Sequence, residues 1–89
     1  MKVNVRYFAR VKEVTERAFE AIELPAGSKA GALVRAILDR YSMLKPEMSD
    51  GAGWLSTGYR LLVNGVPASS DLLLKEGDEV AVIPPVSGG

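Results

Sequence analysis

Few side chains in this sequence could do chemistry, because it contains no cysteine and no histidine. That removes disulfides, thiolate nucleophiles, cysteine-ligated zinc, the commonest general base and the commonest metal ligand. Three groupings remain whose residue types and spacing could act. Glu76, Asp78 and Glu79 cluster around Gly77, but carboxylates at a turn are solvated, and their spacing does not converge oxygens on a cation. No metal site is expected. Arg6 and Arg10 flank Phe8 as in a stacking platform for single-stranded nucleic acid. Eleven basic residues offset eleven acidic ones, so no global field draws the chain to nucleic acid or to an anionic membrane. The third grouping is the end of the sequence, Pro84-Pro85-Val86-Ser87-Gly88-Gly89. Two prolines stiffen its start, and six extended residues reach at most about 20 Å. Gly-Gly carries no side chains and could thread a channel too narrow for any other dipeptide. Such a segment could place its terminal carboxylate in another protein's active site. At about 7% glycine usage, a terminal Gly-Gly arises by chance about once in 200 chains, so alone it is weak.

The elements that must position these groups are readable from periodicity. With 89 residues, 47% of them hydrophobic, the chain suits one domain that buries roughly 60–70% of its unfolded surface. Val3, Val5, Tyr7, Ala9 and Val11 alternate with Asn4, Arg6, Phe8 and Arg10, which predicts a half-buried first strand. Lys12–Arg17 reads as a charged turn or short helical link, and Phe19–Leu24 as a second strand with Ile22 and Leu24 inward. Ser28 is the expected N-cap of the one long helix. Ala30, Leu33, Val34, Ile37, Leu38 and Tyr41 form its apolar stripe, and Gly31 in the first turn costs roughly 1 kcal/mol relative to alanine, favouring fraying. Ser42–Gly58 is glycine-rich and loop-like, with a short helix around Lys45–Met48 and with Trp54 and Leu55 as anchors to the core.

Tyr59–Val63 reads as the third strand. Asn64-Gly65 signals a two-residue hairpin into a short edge strand near Val66–Ala68, where Pro67 is tolerated. Turns at Ser69–Leu74 and Glu76–Asp78 lead to a last strand, Glu79–Pro84. One long helix covers one face of a sheet and leaves the other open. The first and last strands can pair in parallel, with all the intervening chain as their crossover. The expected fold is therefore α+β, a β-grasp (ubiquitin-like) mixed sheet with one main helix on one face. Residues 1–84 would form the domain, and 85–89 a flexible tail that packs against nothing. The start of the sequence alternates instead of running apolar as a signal peptide does, and no stretch approaches the roughly 20 apolar residues of a membrane span. A cytoplasmic protein, monomeric on its own, is the default expectation.

Three residues break the pattern of the open face. Phe8 in the first strand, Leu62 in the third and Ile83 in the last are all apolar and out of phase with the inward residues. On neighbouring strands they would form one exposed apolar patch, the usual mark of a partner site.

Val5-Arg6-Tyr7-Phe8-Ala9-Arg10, then Leu62-Val63-Asn64-Gly65, then the run from Leu74 through Gly-Asp-Glu-Val to Pro-Pro-Val-Ser-Gly-Gly resemble the small subunits of molybdopterin synthase. That family sits with the thiamine sulfur carrier and the ubiquitin-like modifiers. The resemblance covers both ends and the third strand, and Ser42–Gly58 lies outside it. It implies a sulfur carrier without catalytic residues of its own. An ATP-dependent adenylating enzyme of the ubiquitin-activating type would activate the Gly89 carboxylate, and a sulfur donor would convert it to a thiocarboxylate. The synthase large subunit would then receive the tail and pass its sulfur to cyclic pyranopterin monophosphate. Gly89 reacts and Gly88 gives clearance. Phe8, Ile83 and the Val66–Pro67 turn match docking positions of the family, and Leu62 joins them from strand phase. Pro84, Pro85, Val86 and Ser87 would contact the partner along the tail. No cofactor is expected on the chain, since ATP is used by the activating enzyme. The alternatives are a ubiquitin-like modifier joined to target lysines, a sulfur carrier for tRNA thiolation or cysteine synthesis, and a plain β-grasp interaction module with an inert tail.

Overall fold

The computed structural model describes residues 1–85. Alternation governs β1 (Lys2–Tyr7), whose Val3, Val5 and Tyr7 are buried while Lys2, Asn4 and Arg6 face out. The strand stops at Tyr7, four residues before its alternation does. Phe8 is still extended, Ala9 turns the chain at φ 48°, and α1 (Ala9–Thr15) follows. The first strand therefore does not reach Val11 as expected. Tyr7, Val11 and Thr15 are spaced by four, so the same inward positions satisfy a helix once the backbone turns, and both Val11 and Thr15 are buried.

β2 (Phe19–Glu23) returns antiparallel to β1, with Val3 opposite Ile22 and Arg6 opposite Phe19. α2 (Ala30–Arg40) then buries Ala30, Leu33, Val34, Ile37 and Leu38 against the sheet. Its N-cap is Lys29, not Ser28, whose hydroxyl donates instead to the Pro25 carbonyl at 2.7 Å. The first helical N–H groups, orphaned in any helix, donate to main-chain carbonyls: Ala30 to Leu72 at 2.8 Å and Gly31 to Ser70 at 3.0 Å. A Cβ on Gly31 would lie 3.4 Å from that Ser70 oxygen. Glycine permits this close approach, and the helix start is fastened instead of frayed.

A 3-10 turn (Ser42–Leu44) and α3 (Lys45–Met48) bury Leu44 and Met48, and Leu55 anchors the loop that follows, with Trp54 packed beside it. β3 (Arg60–Val63) and β4 (Val66–Pro67) form a hairpin around Asn64 and Gly65, at φ 52° and 83°. Two left-handed residues in succession are what a type I′ turn requires. β5 (Glu79–Ile83) runs parallel to β1 and antiparallel to β3, giving the order β2-β1-β5-β3-β4. Nineteen buried apolar residues fill the space between this sheet and the helices on one face. The other face stays open. Among the described residues no helix is long and apolar enough to cross a membrane.

Candidate functional site

Outward residues of neighbouring strands fall into register across the whole sheet. Phe19 stands opposite Arg6, Arg6 opposite Ala81, Ala81 opposite Leu62, and Leu62 opposite Pro67. One row thus crosses all five strands, with Arg6 as its only charge. In the adjacent row Ile83 stands opposite Arg60. Carrying the parallel Tyr7–Val82 pairing one residue further places Phe8 beside Ile83. Phe8, although it caps α1 instead of ending a strand, keeps extended geometry and the outward phase, and is 42% exposed. Leu62 and Ile83 are half-buried by these neighbours. The three residues that broke phase in the sequence therefore lie on one face of three adjacent strands.

The row also contains a residue that sequence reasoning missed. Phe19 is 68% exposed on the open face. Its signal was available, since it is out of phase with Ile22 and Leu24 in the same way that Phe8 is out of phase with Tyr7. Val66 and Pro67, grouped at sequence level as one docking turn, part company. Pro67 pairs with Leu62 on the open face, whereas Val66 pairs with Val63 and so belongs to the helix side. There Val66, 63% exposed, lines a separate groove with Leu72 and Leu73.

At the end of β5 the half-buried Pro84 leads to Pro85. Pro85 was assigned to a tail without contacts, yet its ring lies directly over Gly58. Val86, Ser87, Gly88 and Gly89, the remaining tail positions, lie outside the described residues.

The carboxylates around Gly77 are engaged in holding the fold. Glu76 accepts from the Lys2 N–H at 2.8 Å, and Glu79 accepts from the Asn4 amide at 2.8 Å. Asp78 accepts from the Lys75 N–H at 2.8 Å and from the Asn64 amide at 3.0 Å. Among the described residues no three of His, Cys, Asp or Glu group so as to hold a metal ion.

Among the described residues the one buried carboxylate lies on the covered face. Glu20, 4% exposed at its side chain, accepts from the Tyr7 hydroxyl at 2.6 Å, the Tyr41 hydroxyl at 2.8 Å and the Arg40 guanidinium at 2.8 Å. Burial raises its pKa, but the three hydrogen bonds and the Arg40 charge outweigh that, and the net shift is downward. Burial first, and the bond to Glu20 second, push the Tyr7 hydroxyl far above its ordinary value, and Tyr41 shifts the same way. Among the described residues no buried side-chain polar atom lacks a partner, and the tyrosine rings meet edge to face, 6.1 Å apart. This is a clasp between β1, β2 and α2, not a reactive centre. The polar network thus belongs to the covered face, while the open face carries the apolar row.

Comparison with known proteins fits that division. A family model described as "ThiS family" matches residues 5–89. The human molybdopterin synthase sulfur carrier subunit is 37% identical over 89 residues, covering 99% of this chain and 94% of that protein. The fold is similar to a putative molybdopterin converting factor, subunit 1, from Pyrococcus furiosus, with TM-score 0.81, 37% identity and coverage of 97% and 99% of the two chains. It is also similar to SAMP1 from Haloferax volcanii, with TM-score 0.88, 27% identity and both chains covered in full.

Proposed function

Because the chain belongs to the ThiS family, we propose that it is a sulfur carrier that serves as the small subunit of a molybdopterin synthase. The observation that supports this most directly is the open row Phe19–Arg6–Ala81–Leu62–Pro67 beside the end of β5. A partner docked on that face lies next to the point where the chain leaves the sheet toward Gly89. Body recognition and delivery of the terminus are thus parts of one surface.

In this reading a carboxylate oxygen of Gly89 attacks the α-phosphorus of ATP on a separate activating enzyme, and pyrophosphate leaves. The resulting acyl adenylate has the leaving group that a free carboxylate lacks. A sulfur nucleophile then attacks the carbonyl carbon, AMP departs with the carboxylate oxygen, and a thiocarboxylate remains. The carrier next docks on the large subunit, where its sulfur passes to cyclic pyranopterin monophosphate. No side chain of this protein needs to move a proton, which suits a chain without histidine or cysteine.

The full chain incubated with a cognate activating enzyme, ATP and sulfide is expected to gain about 16 Da at Gly89, oxygen replaced by sulfur. No gain under conditions that convert a known carrier would refute the reading. Likeness to SAMP1, a name that stands for small archaeal modifier protein 1, favours a second destination, an isopeptide bond to lysines of target proteins. High-mass conjugates in cells that vanish on deletion of Gly88-Gly89 would establish it.

A further inference from the structure

Gly58 and Pro85 are 27 residues apart in sequence, counting from the numbering, yet meet in space. Gly58 occupies the third position of a turn closed by the Tyr59 N–H donating to the Ser56 carbonyl at 3.1 Å, and its φ is 96°. The Pro85 ring covers the one side of this glycine where a side chain would project. A Cβ built there would stand 2.9 Å from Pro85 Cβ, 3.3 Å from Cγ and 3.8 Å from Cα. The first distance is shorter than real carbon contacts allow, and the ring cannot swing aside, because it closes on its own backbone at both Cα and N. Any side chain at position 58 must therefore displace either the main chain at Pro85 or the Ser56–Tyr59 turn beneath it.

The other loop glycines provide the contrast. Gly51 and Gly53 have similar left-handed φ values, 82° and 93°, and nothing lies within 4 Å of a Cβ at either. They answer only to backbone conformation, whereas Gly58 answers to a neighbour as well. The turn beneath Pro85 is itself held. The Ser56 N–H donates to the Met48 carbonyl at 2.7 Å, and its hydroxyl donates to the Glu47 carbonyl. This fixes the turn to α3, so the end of the Ser42–Gly58 segment, which the family match also covers, is placed under Pro85.

We propose that Gly58 is the seat of Pro85, and that this seat fixes where the C-terminal segment leaves the domain and in which direction. On the reading of the protein as a sulfur carrier, Gly58 is then a positioning residue for the reaction at Gly89. Four residues follow Pro85, spanning at most about 14 Å when extended, so the position of Pro85 bounds where the carboxylate can be presented. A misplacement of about 1 Å can slow a reaction a hundredfold.

The test compares full-length wild type, Gly58→Ala and Gly53→Ala, the last carrying the same backbone strain without the contact. Adenylation is followed by pyrophosphate release as the carrier concentration is varied. The expected result for Gly58→Ala is a kcat lowered about tenfold with KM within about twofold, because the docking face is intact while the terminus is misdirected. Gly53→Ala stays within about twofold on both constants. Equal kcat for the two variants overturns the proposal, and so does a loss confined to KM.

A second arm does not depend on the carrier reading. Cross-peaks between the Gly58 α-protons and the Pro85 ring are expected in wild type. Amide resonances of Val86–Gly89 should shift in Gly58→Ala and stay in place in Gly53→Ala. Missing cross-peaks or unmoved amides overturn the seat. If wild type is not adenylated, the carrier reading fails by itself and the resonance arm still decides the seat.

Discussion

The two faces of this sheet are made by the same strands and do opposite things. On the covered face Val3, Val5, Tyr7, Val80 and Val82 are at most 1% exposed, and even a carboxylate is clamped by three donors. On the open face their immediate neighbours in sequence leave Phe8 at 42% and Phe19 at 68% exposed. A strand reverses side at each residue, so stability and recognition interleave along the chain and separate only in space. Substitutions one residue apart should therefore have different consequences.

Leu33→Ala is the harshest way to break the covered side. The residue is fully buried, and a large-to-small change there costs about 3 kcal/mol. For a domain of this size that is a fall in Tm of about 12–24 °C, to be read by calorimetry. A shift of only a few degrees would mean that α2 is not the lid of the core.

Glu20→Gln probes the polar clasp with a milder effect, about 1–2 kcal/mol, as expected for weakening hydrogen bonds to a charged group. It also has a pH signature. Glu20 has a lowered folded pKa, so its contribution is full above the ordinary carboxylate range and is lost as pH falls through the lower folded value. Tyr7 and Tyr41 are raised, so theirs is full below about pH 10 and is lost as pH rises through the higher folded values. Denaturant titrations from pH 2 to 12 should show a plateau between those limits in wild type. The variant should have a lower plateau and a flatter acid limb. An unchanged acid limb would remove Glu20 from the linkage.

Phe8→Asp sharpens the comparison from the open side, with the smallest effect on stability, within about 0.5 kcal/mol. On the proposed carrier reading, affinity for an activating enzyme or a synthase large subunit, measured by calorimetric titration, should fall at least about tenfold, as when a buried aromatic anchor is lost from an interface. A large loss of Tm instead would place Phe8 in the core and dissolve the distinction between the faces.

Legibility followed the same division. Alternation alone marked Val3, Val5 and Tyr7 as inward and Phe8, Leu62 and Ile83 as outward, because a half-buried strand writes its two faces into its sequence. The hairpin at Asn64-Gly65 was equally open to reading, since few dipeptides tolerate two left-handed residues. What could not be read depends on partners distant in sequence. Glu20 looks like a defect in an apolar phase until Tyr7, Arg40 and Tyr41 are brought to it. The switch from strand to helix after Tyr7 was hidden because Val11 is inward under either periodicity. Val66 and Pro67, adjacent in sequence, belong to different faces, and only the pairing register separates them. The meeting of Gly58 with Pro85 leaves no local trace at all.

The position of β5 has a consequence for how the protein is made. It lies between β1 and β3 and, among the described residues, is the only strand joining the β1–β2 hairpin to the β3–β4 hairpin. Without β5 the two hairpins are disconnected ribbons, each of which needs further strands or a helix to cover its apolar face. The pairing that joins them, Asn4 with Glu79, spans most of the sequence, and such long-range closure is slow. Closing the sheet therefore assembles the open-face row and sets the end of β5 beside it in a single event.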